Sequence, residues 1–349
     1  MDGFSPPRTD RDLFDLLSRS YPSADLDEIL TLVQWTRKRQ VGLLEIVRSL
    51  LVVGPRGGRK PKFDCLRSAK SWLYSSDFQG SVVAALLDAY PEKRRLVFVH
   101  IPKCAGSDLA ILLERTLPRV YMDIANEEVT KKELLFSHLA AIVARIKASD
   151  AVIVHGHTPL TQYIQQGYYR PGDDLFTVVR DPIARIVSQV NYIVRRICSE
   201  DPVDSQFSDR LGWMRMLGIE EQDVTRDERF KRDCAREVLF DPRMVTPNTL
   251  CRFLGGETYD DALQAIVGSA IEITDIRRYD DWLRTRWDIG QSLRANSSPT
   301  VIDIGDLADD ERDYVEAIST EDIRLFATIE RSLDRGHVSV RGSELAAQV

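Results

Sequence analysis

From residue 95 onward, short apolar runs alternate with stretches of helical spacing. The runs Leu96–His100, Ala151–His155 and Leu175–Val179 are rich in β-branched and aromatic side chains. Continuous apolar runs of this kind are typical of strands that are buried on both faces of a parallel sheet. Apolar residues that recur every three or four positions indicate helices at about 106–117 and from Pro182 onward, where proline suits the first turn. This alternation predicts an α/β fold with a central, mainly parallel sheet.

The helix that begins near Pro182 has the clearest amphipathic pattern. Its apolar face consists of Ile183, Ile186, Val187, Val190, Ile193, Val194 and Ile197. Weaker patterns predict a short strand at Arg119–Asp123 and a helix at about Lys131–Lys147. Ligands of open α/β sheets bind at the carboxyl ends of the strands, so the polar residues that follow the three apolar runs are candidate site residues.

The rest of the chain divides around this α/β pattern. Residues 1–92 have helical spacing and are predicted to form an all-helical N-terminal region, interrupted by a loop rich in Gly and Pro at Gly54–Lys62. The α/β domain is predicted to cover 93–336, and the tail at 337–349 is expected to be frayed. Within the domain, 199–240 is a charged, helical insertion. It is interpreted either as a lid over an acceptor or as a solvated surface excursion.

Composition narrows the class of protein. Of the 349 residues, 43% are hydrophobic and 29% are charged, which is ordinary for a soluble globular protein. The net charge of −7 disfavours a nucleic-acid-binding protein, because that class usually has a basic balance. The five cysteines are scattered without C-x-x-C spacing and indicate neither a zinc site nor a disulfide framework. With no signal-peptide pattern and no apolar run near ~18 residues, the sequence predicts a cytoplasmic protein without a membrane span.

The segment after the first apolar run has the composition of a phosphate-binding loop. After His100-Ile101-Pro102 it reads Lys103, Cys104, Ala105, Gly106, Ser107 and Asp108. In a strand–loop–helix unit, the loop N–H groups and the positive end of the helix dipole point at one spot. Lysine adds a full charge there and serine adds a hydroxyl donor. The order differs from the G-x-x-x-x-G-K-[ST] loop of ATP- and GTP-binding proteins, and the loop alone is also compatible with a plain turn that carries a surface lysine.

A second polar group follows the third apolar run. Arg180 stands at the end of the predicted strand, and Ser188 lies about two turns inside the next helix. An arginine forks onto phosphate oxygens and a serine adds a hydrogen bond, so the pair can bind one anion that lies along the side of the helix. The Arg-Asp-Pro triplet is weak evidence by itself, because any strand-to-helix turn can contain it.

Two histidines, His155 and His157, flank Gly156 at the end of the second apolar run. No carboxylate or third histidine keeps metal-ligand spacing nearby, which disfavours a metal site. A histidine at a strand end is often a hydrogen-bonded structural residue. Here the strand end is also the predicted rim of the site, so one histidine can act as a base while the other orients it.

These three segments together resemble the carbohydrate sulfotransferases that use 3′-phosphoadenosine 5′-phosphosulfate (PAPS), in particular the group that includes heparan sulfate 2-O-sulfotransferase. The sequence His-Ile-Pro-Lys-Cys-Ala-Gly-Ser resembles the family's 5′-phosphosulfate loop, which usually reads Pro-Lys-Thr-Gly or Pro-Lys-Thr-Ala-Gly-Thr-Thr. Cys104 and Asp108 therefore replace threonines. Asp108 is the larger departure, because it puts a carboxylate near an anionic ligand unless it turns outward or caps the helix.

The resemblance covers about residues 95–335 and implies a P-loop-like three-layer fold. It implies PAPS as co-substrate, adenosine 3′,5′-bisphosphate as product and no metal. Lys103 and its loop would bind the 5′-phosphosulfate, and Arg180 with Ser188 the 3′-phosphate. His157 would be the catalytic base, with His155 as the alternative.

The sequence therefore predicts a PAPS-dependent sulfotransferase that acts on a hydroxyl group of a carbohydrate or glycoconjugate. The N-terminal helices are a candidate surface for homo-oligomer formation. Two alternatives stay open at this stage: a P-loop-type nucleotide-dependent phosphotransferase, and a non-catalytic binding protein on the same fold, which Asp108 favours.

Overall fold

A computed structural model describes residues 91–114, 119–121, 148–165, 167–199, 207–290, 300–334 and 336–346. Several predicted elements lie outside these ranges. They are the N-terminal helices before residue 90, the loop at Gly54–Lys62 and the helix at Lys131–Lys147. None of the helices in the described ranges combines the length and the apolarity that crossing a bilayer requires.

The described elements follow one another in a largely alternating order. The first are β1 (Arg94–Val99), α1 (Gly106–Glu114), β2 (Arg119–Tyr121), β3 (Ala151–Gly156), α2 (Leu160–Gln165), β4 (Asp174–Val179) and α3 (Pro182–Ile197). Then come α4 (Phe207–Leu217), α5 (Glu228–Phe240), α6 (Thr249–Leu254), α7 (Tyr259–Ser269), β5 (Glu272–Asp275) and α8 (Tyr279–Trp287). The last are α9 (Asp309–Ile318), α10 (Thr320–Leu333), β6 (Val340–Arg341) and α11 (Gly342–Ala346).

These elements belong to two compact units, and β1 contributes to both. The first unit contains Arg94–Val97 of β1, together with β2 and β3. Its strand order is β2-β3-β1, and β2 runs parallel to β3 with Tyr121 opposite His155. The first unit also holds the salt bridge between the Arg94 and Asp174 side chains.

The second unit contains Phe98 and Val99 of β1 and nearly everything after Leu175. Its strand order is β1-β4-β5-β6, with β4 parallel to β5 and β5 antiparallel to β6. The Thr177 hydroxyl donates to the Val99 carbonyl at 2.8 Å, and the rings of Phe98 and Phe176 stack at 5.6 Å. The two units confirm the predicted α/β class with mostly parallel strands, and the three strong apolar runs are all strands.

Helix α3 is the centre of the hydrophobic core in the second unit. Its apolar face packs with buried residues of α4, α5 and α9, as the amphipathic pattern predicts. The buried members are Ile186, Val187, Val190, Ile193, Val194, Ile197, Met214, Cys234, Ala235, Val238, Leu239 and Val315. The helices α4 and α5 of the predicted insertion therefore contribute apolar faces to this core.

The described part of the C-terminal tail, for which the sequence predicts fraying, contains a short strand and a helix within residues 337–346. Strand β6 pairs with β5, with Val340 opposite Ile273, and Val340 is buried. The Gly342 amide then donates to the Ile271 carbonyl at 3.0 Å, and Leu345 is fully buried. A strand of two residues is too short to leave a periodic pattern in the sequence, so its place depends on tertiary contacts such as the pairing with β5.

Reciprocal hydrogen bonds join the first turn of α6 to the first turn of α10. The Asp322 carboxylate of α10 accepts hydrogen bonds from the amides of Leu250 and Cys251 at 2.9 Å each. In return, the Asn248 side chain accepts from the amides of Glu321 and Asp322 at 3.2 and 3.4 Å. Each side chain satisfies amides that have no partner within their own helix.

Candidate functional site

The loop between β1 and α1 has an unusual backbone. Lys103 and Ala105 both adopt the left-handed region, with φ of 67° and 60°, although neither is glycine. Such conformations cost free energy at non-glycine residues, of order 1–3 kcal/mol each. The Cys104 amide donates to the Ile101 carbonyl at 3.3 Å, which closes the turn before α1 begins at Gly106. The strained backbone marks this loop as a candidate functional segment.

Gly106 is required by its contact with His100. The His100 ring is buried, stacks on Phe98 with centroids 5.5 Å apart, and occupies the space that a Cβ at position 106 would need. The glycine therefore lets the first turn of α1 approach the end of β1 closely.

We expect Gly106→Ala to lower the free energy of unfolding by about 1–3 kcal/mol, because an added methyl group must displace a buried ring. Thermal unfolding measures this. Gly268→Ala is the matched control, since Gly268 lies in a helix with nothing within 4 Å of the added Cβ. The control should keep or raise the melting temperature, because alanine is the better helix former. Equal stability of the two variants would contradict the tight contact at His100.

Lys103 and Arg180 lie close together. The Arg180 guanidinium lies 3.5 Å from the Lys103 carbonyl oxygen. The Lys103 ammonium group sits 4.0 Å from the centroid of the Tyr192 ring. The loop after β1 and the end of β4 therefore place two cations next to helix α3.

Helix α3 adds further cations along one stripe. Arg185, Ser188, Tyr192 and Arg195 follow one another at intervals of three and four residues, so they share one face, which is called the α3 polar stripe below. The Cζ atoms of Arg195 and Arg196 lie 5.8 and 5.3 Å from the Tyr192 ring. Ser188 is half-buried on this stripe, one turn before Tyr192.

Arg185 is the buried member of the stripe. Its side chain is only 3% exposed, and its Nε has no hydrogen-bond partner. Burial lowers the pKa of Arg185, while Cys104 and Asp322 raise it and Arg180 lowers it. A buried Nε–H group without a partner costs free energy unless an acceptor satisfies it.

We call Lys103, Arg180, Arg185 and Arg195 the cation cluster. Among the described residues, no ion pair joins any of the four to a carboxylate. Burial, followed by the charges of Arg195, Arg180 and Arg196, lowers the pKa of Lys103 to about 8. Like charges held together at partly buried positions favour a bound anion, which would relieve their repulsion.

The remaining loop residues have distinct surroundings. Cys104 is buried, and burial raises the pKa of its thiol to about 12, although Arg185 and Arg180 act in the opposite direction. The Cys104 thiol is therefore protonated at neutral pH and inert as a nucleophile. Ser107 is exposed in the first turn of α1.

Asp108 is engaged inside the fold. It is 5% exposed, and its carboxylate interacts with the hydroxyl of Tyr279, the first residue of α8. Burial, and then the adjacent Asp108 carboxylate, raise the pKa of the Tyr279 hydroxyl. The Asp181 carboxylate is likewise occupied, because it caps α3 by accepting from the Ala184 amide at 2.8 Å. Both carboxylates near the loop and the Arg-Asp-Pro turn thus have structural roles.

His155 and His157 lie in the first unit and differ in exposure. His155 is the fifth residue of β3 and is 2% exposed, whereas His157 follows the end of the strand and is partly exposed. The residues of the loop, Arg180 and Ser188 belong to the second unit. Of the two histidines, His157 is the partly exposed one, and it lies just beyond a strand end.

Three residues of this site were not anticipated from the sequence: Arg185, Tyr192 and Arg195. The signal that identifies them is the spacing of three, four and three residues through Ser188, on the face opposite the apolar one.

No protein-family model matches the chain, and comparison with curated proteins and with solved structures gives no match.

Proposed function

We propose that this protein is a PAPS-dependent sulfotransferase that transfers the sulfuryl group to a hydroxyl of a carbohydrate or glycoconjugate. The observation that supports the proposal best is the cation cluster, in which Lys103 and Arg180 meet between the loop and α3. The segments that resemble the sulfotransferase loop and the 3′-phosphate motif supply three of the four cations of this cluster, Lys103, Arg180 and Arg185. An unpaired cluster of this kind suits a ligand with several negative charges.

The residues fit a nucleotide that carries separate phosphate groups. The strained loop and the start of α1 offer backbone N–H groups and a positive helix end, which suit one phosphate. Arg180, Arg185 and Ser188 would hold a second phosphate along the side of α3, where the buried Arg185 Nε has no other acceptor. PAPS, when bound, supplies the sulfuryl group and a leaving group that takes up negative charge.

The chain's own residues then have separate roles. Lys103 stabilises negative charge at the 5′ position, and its depressed pKa allows it to be charged or neutral near the operating pH. Arg180 and Ser188 align the nucleotide by holding its far end. His157 is proposed as the base that removes the acceptor proton, and His155 as the residue that orients the strand end or replaces it as base.

The proposal includes several finer features. The α/β core would be a P-loop-like three-layer fold, and the reaction would need no metal. The protein would act in the cytoplasm, and the N-terminal region would provide a surface for homo-oligomer formation.

Calorimetry with nucleotides tests the proposal. We expect adenosine 3′,5′-bisphosphate to bind at least tenfold more tightly than adenosine 5′-phosphate. A charge-assisted contact contributes roughly 1.5–3 kcal/mol, and each ~1.4 kcal/mol is tenfold in affinity. Arg180→Ala should abolish this difference. Arg229→Ala, which removes an exposed arginine of α5 whose side chain is 92% accessible, should preserve it.

Each other outcome leads to a different assignment. Equal affinity of the wild type for the two nucleotides would remove Arg180 and Ser188 from a 3′-phosphate site. Preference for ATP would favour a phosphotransferase. Tight binding of the bisphosphate without sulfuryl transfer to any glycan of a broad panel would favour a binding protein on this fold.

A further inference from the structure

The Tyr192 ring is surrounded by cations. The Lys103 Nζ lies 4.0 Å from its centroid, and the Cζ atoms of Arg196 and Arg195 follow at 5.3 and 5.8 Å. The Trp213 ring of α4 packs edge-on against Tyr192 with centroids 5.8 Å apart, which holds the tyrosine ring in its orientation. Three cations and one aromatic side chain thus lie around the Tyr192 ring.

Without an attractive partner, Lys103 would leave this position. Its ammonium group is next to the like charges of Arg195, Arg180 and Arg196, which lower its pKa, whereas Cys104 acts in the opposite direction. A lysine stem is long and flexible, so its head normally extends into water. The negative face of an aromatic ring attracts a cation by about 0.5–2 kcal/mol, and more strongly where water is excluded.

We propose that Tyr192 is a positioning residue whose ring, through a cation–π contact, holds the Lys103 ammonium group within the cation cluster. The ring makes this contact and the hydroxyl does not, so Tyr192→Phe should keep the ammonium group in place. Trp213 of α4 packs against the Tyr192 ring and fixes its orientation, so α4 supports the position of Lys103 through this ring. The importance of this contact for donor binding rests on the proposed function, whereas the position of the ammonium group does not.

The groups that face Lys103 define the expected titration. Arg180 approaches from β4, Arg195 and Arg196 from α3, and Cys104 from the loop itself. All three arginines stay charged at any accessible pH. Burial, and then these charges, lower the pKa of the held lysine to about 8, whereas a lysine released into water has its ordinary value near 10.5. The titration of the Lys103 amine therefore reports whether it is held.

Competitive acylation of the amine across pH, read by mass spectrometry of the Lys103 peptide, measures this titration without any nucleotide. The wild type and Tyr192→Phe should both show a midpoint near 8. In Tyr192→Leu and Tyr192→Met the midpoint should rise toward the ordinary lysine value. Trp213→Leu removes a comparable aromatic contact but leaves the Tyr192 ring, so its midpoint should stay closer to that of the wild type than to that of Tyr192→Leu.

An unchanged or lower midpoint in the Leu and Met variants overturns the proposal. Loss of the folded circular dichroism spectrum in both variants also overturns it, because Tyr192 would then serve the core and not Lys103. Affinity for adenosine 3′,5′-bisphosphate is measured separately and should fall about 3- to 30-fold in Tyr192→Leu, the range of a cation–π contact. If the wild type fails to bind this nucleotide while the acylation result holds, the proposed function fails and the inference about Tyr192 stands.

Discussion

Replacement of Lys103 by methionine should lower sulfuryl transfer about 10²- to 10³-fold. This is the usual loss when one preorganised group that stabilises developing charge is removed. Methionine keeps the length and the apolar stem of lysine, so the loop and the Tyr192 contact surface should remain intact. Turnover under saturating donor and acceptor measures the effect. A variant within threefold of wild type would exclude Lys103 from the stabilisation of the leaving group.

The same residue gives the donor affinity a pH dependence. The pKa of Lys103 in the fold is about 8, so the amine loses its charge as the pH rises through this value. Affinity for adenosine 3′,5′-bisphosphate should therefore fall above pH 8 in the wild type. Lys103→Arg is the matched control, because a guanidinium stays charged, and its affinity should be flat up to pH 10.

The free energy of unfolding should change with pH in the direction opposite to the nucleotide affinity. Between about 8 and 10.5 the unfolded lysine binds a proton and the folded one does not, so the free energy of unfolding should rise with pH in this window. Buried positive charge thus destabilises the ligand-free protein at neutral pH. A bound anion should offset this, and thermal stabilisation by the bisphosphate should be larger at pH 7 than at pH 9.

His157→Ala should lower turnover by roughly 10²-fold or more while nucleotide affinity hardly changes. A hydroxyl attacks sulfur poorly unless its proton is removed, and a neutral imidazole is suited to this near pH 7. His155→Ala should cost less in rate and more in stability, because His155 is buried within β3 whereas His157 is accessible beyond its end. Both variants are compared by turnover, bisphosphate affinity and thermal unfolding.

The pattern of the two variants decides the assignment. An inactive His155→Ala protein with wild-type turnover in His157→Ala would exchange the two roles. Full activity in both variants would remove the histidines from the mechanism. Asp108 is then a poor substitute as base, because its carboxylate is buried and interacts with Tyr279.

The apolar runs and the helical spacing were sufficient to predict the strands β1, β3 and β4 and the helix α3. Burial on both faces leaves a direct record in sequence, because most side chains of such a strand are apolar. The α3 polar stripe was equally present, since Arg185, Tyr192 and Arg195 keep helical register with Ser188. It was not recognised because a polar face usually means only that a helix is solvated on that side.

The sequence by itself determined the class of fold, the loop with Lys103 and the position of Arg180 at a strand end, since these depend on local pattern and spacing. Tertiary structure alone decided that the Lys103 ammonium group lies against Tyr192, that Asp108 interacts with Tyr279, and that β6 pairs with β5. Each of these contacts joins residues far apart in the chain. Which cation meets which ring, and which carboxylate is withdrawn into the fold, follows from the packing of helices and strands and leaves no periodic trace in the sequence.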